Sequence, residues 1–165
     1  MERLILFRHC KAEAESATGD YFDRRLAPRG QEQSAETAAR LADLGFQPDL
    51  ALISTAARTR ETWAAAAPHF PKARVVFDAD LYHADSEGVR HAAAKAEATV
   101  GTVLVIGHNP GLQELTVRLL TAGSAPPSPI ARASRQFPTA GAAVFLFDSD
   151  GRPAFDGLFF PDRGD

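Results

Sequence analysis

Short, wholly apolar runs bounded by polar or glycine-containing stretches punctuate the first two thirds of the chain. Residues 4–7 read Leu4-Ile5-Leu6-Phe7 and stop abruptly at Arg8 and His9. An unbroken run of that length suits a parallel strand covered on both faces. Residues 49–54 and 74–77 also read as strands, and 102–107 is the clearest strand, through Val103, Leu104, Val105 and Ile106. Helical spacing fills the intervals. Pro28, Arg29 and Gly30 open a helix to about Leu44, with Ala35, Ala38, Ala39, Leu41 and Ala42 as its apolar stripe. Gly45 suits the left-handed position that closes it. Thr55 caps a helix over 56–67, which Pro68 and Pro71 end. Asp85 or Ser86 caps an alanine-rich helix reaching Ala98, and Asn109-Pro110 starts another reaching Thr121. Residues 10–25 and 122–138 show no period and read as long loops, which in compact domains are functional or disordered. Asp150-Gly151 between 142–148 and 154–160 signals a β-hairpin. The alternation predicts a three-layer α/β/α fold, its sheet mostly parallel with an antiparallel C-terminal hairpin.

Composition narrows the class without naming a function. A chain of 165 residues fits a single domain spanning 1–165. Hydrophobic residues at 45% and charged residues at 24% exclude a disordered chain. A formal charge of −3 argues against non-specific nucleic-acid binding. Cys10 is the only cysteine, so no internal disulfide can form. Neither a signal peptide nor an apolar stretch near the ~20 residues that span a bilayer is read, so a membrane role is not expected. A reducing, cytoplasmic setting is the expectation.

Ligands of open α/β sheets collect outside the carboxyl ends of the strands. Here those ends carry Arg8-His9, Ser54 leading to Arg58, and Gly107-His108-Asn109. Each residue also has an ordinary explanation. His9 could end a strand on a backbone hydrogen bond, Arg8 and Arg58 could be solvated charges, and His108 could be a satisfied core histidine. Arg60 and Glu61 read as solvated. Their joint occurrence at three strand ends suits a phosphoryl group. Guanidinium forks match phosphate oxygens in bidentate geometry, and the helix start after Thr55 would add N–H donors. A neutral imidazole is a competent nucleophile toward phosphorus, and a second imidazole can donate to the phosphoryl oxygens in transit. Rival chemistries lack motifs. There is no Walker loop, dinucleotide fingerprint or Gly-x-Ser-x-Gly elbow, and His69, His83 and His91 lack zinc-ligand spacing. No metal and no cofactor are expected.

These residues carry a family resemblance. Leu6-Phe7-Arg8-His9-Cys10-Lys11 resembles the Arg-His signature of the histidine phosphatase superfamily, whose fold is phosphoglycerate-mutase-like. Leu26-Ala27-Pro28-Arg29-Gly30 is similar to the turn that follows it, and Ser54 through Arg58 to Thr62 to the segment carrying a second phosphate-binding arginine. Val105 through Gly111 resembles the strand end of the second histidine, and Phe137-Pro138-Thr139 a late-strand entry. The compact length and the Arg-His-x-Lys opening are most similar to the bacterial phosphohistidine phosphatase branch. The resemblance implies His9 as nucleophile, Arg8 and Arg58 as phosphate clamp, and His108 as donor to the phosphoryl oxygens. Together with the residues, it leads to a metal-independent phosphatase with a phosphohistidine enzyme intermediate. Its expected partner is a phosphorylated protein carrying phosphohistidine. A small phosphorylated metabolite is the alternative substrate, and a non-catalytic phosphate-binding module the alternative class.

Two departures stand out. Cys10 replaces a glycine or alanine and is expected to narrow the pocket. Where larger relatives carry a proton-donating glutamate, this chain reads Asp78-Ala79-Asp80-Leu81-Tyr82-His83, with no carboxylate after Leu81 at the expected spacing. Asp80, Asp85 and Glu13 are the substitutes to consider, each also readable as a solvated surface carboxylate.

Overall fold

A computed structural model describes residues 1–96 and 101–161. In chain order the elements are β1 (Arg3–Arg8), α1 (Pro28–Asp43), β2 (Leu50–Ser54), α2 (Ala57–Ala66), β3 (Arg74–Asp78) and α3 (Ser86–Lys95). They continue with β4 (Thr102–Gly107), α4 (Gly111–Ala122), α5 (Pro127–Arg135), β5 (Ala142–Phe147) and β6 (Pro153–Phe159). The sheet order is β3-β2-β4-β1-β5-β6. The first four strands pair in parallel, and β5 and β6 close one edge as an antiparallel hairpin.

Strand alternation divides the core in two. Leu4, Leu6, Leu52, Val103, Val105 and Phe145 face α3, α4 and α5, where they meet Val89, Leu112, Leu115 and Ala133. Ile5, Phe7, Ile53, Leu104, Ile106 and Val144 face α1 and α2, against Ala38, Leu41, Trp63 and Ala66. With helices on both faces, Leu4–Phe7 of β1 and every position of β2 and β4 are buried, which is why these strands read as continuous apolar runs. The fold is three-layer α/β/α.

Because β4 lies between β1 and β2, three strand ends come level on one rim. Arg8 pairs with Gly107, and Ile53 with Ile106, so Ser54 sits one residue on, beside Gly107. Glycine is required where α1 begins: a Cβ on Gly30 would run into the Lys11 carbonyl. That close approach docks the start of α1 under the segment leaving the rim.

Several sequence expectations are corrected. The stretch 122–138 is not a loop throughout, since α5 occupies its middle. Its prolines hid it, although proline in a first helical turn removes only donors that lack intrahelical partners. Residues 10–25 are tied down by a bridge between Ala12 and Leu26 and by a 3₁₀ turn at Tyr21–Asp23, capped by the Asp20 side chain. Thr55 does not cap α2. The N-cap is Ala56, and the Thr59 hydroxyl reaches the Ser54 and Ala56 carbonyls at 2.7 and 2.8 Å. Asn109 does not cap α4 either; its amide donates to the Phe137 carbonyl at 2.9 Å. Pro68 is accommodated in a 3₁₀ turn, Ala67–His69, that continues α2. Asp85 does cap α3, accepting from the Gly88 N–H, and Gly45 closes α1 at φ +86°. The expected end of that third helix at Ala98 lies outside the described residues. Among the described residues no helix is long and apolar enough to cross a membrane.

Candidate active site

His9 follows β1 and is held by backbone on both sides: its N–H donates to Gly107 and its carbonyl accepts from Ala140. The residue is 8% exposed. Nδ1 lies 2.8 Å from the Cys10 carbonyl. A carbonyl can only accept, so Nδ1 carries the proton and Nε2 presents a lone pair. Among the described residues none hydrogen-bonds to Nε2. Cys10 itself is a correction: its side chain is fully buried in the α1–α2 core near Ser34 and Thr62 and does not narrow the pocket. Burial pushes its thiol up to about 12. Its N–H donates to the Thr62 hydroxyl at 3.1 Å, tying the turn after His9 to α2.

His108 follows β4, with its ring centroid 5.4 Å from that of His9. Its Nδ1 lies 3.3 Å from Arg58 Nη2 and its Nε2 2.7 Å from the Ser54 hydroxyl. Arg58, on the first turn of α2, is 4% exposed. Its other amino group donates to the Tyr21 carbonyl at 3.1 Å, and the guanidinium lies over the Tyr21 and Tyr82 rings at 4.7 and 5.7 Å. Arg8 donates to the Phe137 carbonyl at 3.0 Å, the same carbonyl that holds Asn109. Both arginines keep a buried Nε–H without a hydrogen-bond partner. Two buried donors left open beside a free imidazole nitrogen suit an anionic ligand with several oxygens.

Residues 4–100 match the family model for the histidine phosphatase superfamily, branch 1, well over half of the chain. The chain belongs to the histidine phosphatase superfamily. This histidine phosphatase is 33% identical over 137 residues to an uncharacterized protein of Mycobacterium tuberculosis, covering 83% of this chain and 84% of the relative. It superposes on a structure from Agrobacterium tumefaciens, provisionally named phosphohistidine phosphatase SixA, at a TM-score of 0.83. That match has 30% identity over 97% of this chain and 98% of the other. Phosphoglycerate mutase of Plasmodium falciparum shares the fold at a TM-score of 0.65 and 19% identity, over 98% and 94% of the two chains. The protein is therefore a phosphatase, a hydrolase, of the SixA-like branch.

The histidine phosphatase rim thus gathers Arg8, His9, Arg58 and His108, all singled out in the sequence. The carboxylate substitutes are not gathered with them. Asp85 caps α3, while Asp80 and Glu13 are exposed. Among the described residues no carboxylate hydrogen-bonds or ion-pairs with either histidine or either arginine, and no group of three His, Cys, Asp or Glu could hold a metal. Glu61, read as solvated, instead accepts from the Leu26 N–H at 2.9 Å and from Arg25 at 2.7 Å, pinning the end of the 10–25 segment to α2. Arg60 lies over the Phe77 ring, away from the rim. The sequence reading missed Ser54 as a partner of His108, and Tyr21 and Tyr82 as walls beside Arg58. Ser54 alone had a visible signal, its place at a strand's carboxyl end.

Electrostatics fix both rings as neutral. Burial, the largest cause, pushes His9 down to about 3, opposed by its Cys10 hydrogen bond and helped by His108, Arg8 and Arg58. Burial also takes His108 down to about 3, with Arg58, Arg8 and His83 adding to it. Burial lowers Arg8 from the usual guanidinium value; Tyr21 opposes this and Arg58 adds to it. An unfolded histidine titrates near ~6.5. Between those values the unfolded chain binds more protons than the folded one, so stability rises with pH. The contribution is complete above about pH 6.5 and is lost as pH falls toward 3. Denaturant titrations across that window should show a shallower pH slope for His9→Ala than for wild type. Parallel slopes would mean that His9 is charged in the folded enzyme.

Proposed function

We propose that this enzyme transfers the phosphoryl group of its substrate to His9 Nε2 and then to water, and that the substrate is phosphohistidine on a protein. The observation that carries the reading is the neutral, buried His9, with Nε2 open beside two arginines whose Nε–H groups lack partners. Nε2 attacks phosphorus and the bond to the leaving nitrogen breaks. Arg8 and Arg58 hold the equatorial oxygens, where charge accumulates in transit. The departing imidazole takes a proton from solvent. Water then attacks the phospho-imidazole, releasing phosphate and restoring neutral His9.

The choice of a P–N substrate is supported by the lack of a carboxylate on the site residues among those described, and by the provisional name of the Agrobacterium neighbour. Expelling an alkoxide needs a positioned acid, typically worth ~10²–10⁴ in rate. An imidazole leaving group, with a pKa near ~6.5, can be protonated by solvent. The test is kcat/KM across phosphohistidine, an aryl phosphate and a sugar phosphate. The expected series is steep, in that order. A flat series, or one led by the sugar phosphate, would make the small-metabolite reading the better one.

A further inference from the structure

The least explained contact on the rim is the shortest one made by His108, its 2.7 Å approach to the buried Ser54 hydroxyl. Arg58 lies on the other nitrogen and is a donor only, so Nδ1 must accept. The neutral ring then carries its proton on Nε2, and Ser54 accepts it. In this state His108 has no N–H to offer a phosphoryl oxygen from Nδ1. The donor role that the family resemblance implies for His108 requires a second proton.

We propose that Ser54 is a positioning residue for His108: its hydroxyl keeps accepting from Nε2, so that a second proton resides on Nδ1 and faces the phosphoryl oxygens. The inference rests on the histidine-phosphatase reading of the rim. Groups facing the ring come from every neighbouring element. They are Arg8 and His9 at the end of β1, Ser54 at the end of β2, Arg58 on α2, and Tyr82 and His83 after β3. No anion is among them, so an imidazolium is unfavourable until the phosphoryl group supplies negative charge. The proton then comes from the monoprotonated phosphoryl group or from solvent, and one oxygen placed between Arg58 and His108 accepts from both. Without the Ser54 hydroxyl, the Nε2–H would lie buried without an acceptor, and the ring would lose its reason to keep that orientation.

Nitrogen-15 NMR of histidine-labelled enzyme, with inorganic phosphate as the probe, reads this directly. Free wild type should show His108 protonated on Nε2 only, and saturating phosphate should protonate Nδ1 as well. Ser54→Ala should lose that Nε2 preference and drop kcat about 10- to 100-fold, the scale for groups that orient a functional histidine, while KM changes little. Ser54→Thr, which restores the hydroxyl, should recover kcat to within a few-fold. A free enzyme protonated on Nδ1, or a Ser54→Ala enzyme with wild-type kcat, would overturn the assignment. The nitrogen shifts are read on wild type without turnover, so they decide for Ser54 independently of whether a phosphoenzyme is found.

Discussion

His9→Ala should lower kcat/KM by about 10⁴-fold or more, the scale seen when a covalent nucleophile is removed. The substitution deletes the nitrogen that forms the bond to phosphorus, and no other imidazole can take its place. His108 is turned toward Ser54 and Arg58, with its centroid 5.4 Å away. The fold should survive. The backbone bonds of His9 to Gly107 and Ala140 do not involve the ring, and the core faces of β1 are formed by Leu4, Ile5, Leu6 and Phe7. Steady-state kinetics beside a thermal melt check this. A folded His9→Ala enzyme with appreciable turnover would remove His9 from the mechanism.

The second large effect is expected at Arg58. Its guanidinium reaches the Tyr21 carbonyl, His108 Nδ1 and two aromatic faces at once, and still keeps an unpaired Nε–H. A lysine ammonium is a point charge without that fork, so Arg58→Lys should behave nearly as Arg58→Ala. Loss of one such donor at a developing charge costs about 10²–10³ in kcat. Arg60→Lys, two residues away and stacked on Phe77, serves as the control and should stay near wild type. Comparable kinetics for Arg58→Lys and wild type would place Arg58 outside the phosphoryl site.

The four rim residues were legible because sheet topology does the gathering. Once β1, β2 and β4 are read as adjacent parallel strands, Arg8, His9, Arg58 and His108 can only lie near one edge. What stayed hidden depends on side-chain direction or on chain paths without a period. Cys10, replacing a glycine or alanine, is expected to narrow the pocket, yet its thiol points into the α1–α2 core. Glu61 looked like any helix-surface acid until the return of residues 25–26 brought N–H donors to it. The helix α5 escaped because proline-rich first turns imitate loops, while its Ala133 contributes to the core beside α4. Tyr21 gave no pattern at all. It is 61% exposed, and only the 3₁₀ turn sets its ring against Arg58.

The proposed mechanism turns on a covalent bond between phosphorus and His9 Nε2. Rapid-quench labelling with a phosphorus-32 substrate, followed by mapping of the labelled peptide, tests it most directly. A burst of protein-bound label is expected within the first turnover, acid-labile, base-stable and located on His9. Label on a serine or an aspartate, or turnover with no bound label at any quench time, would contradict it.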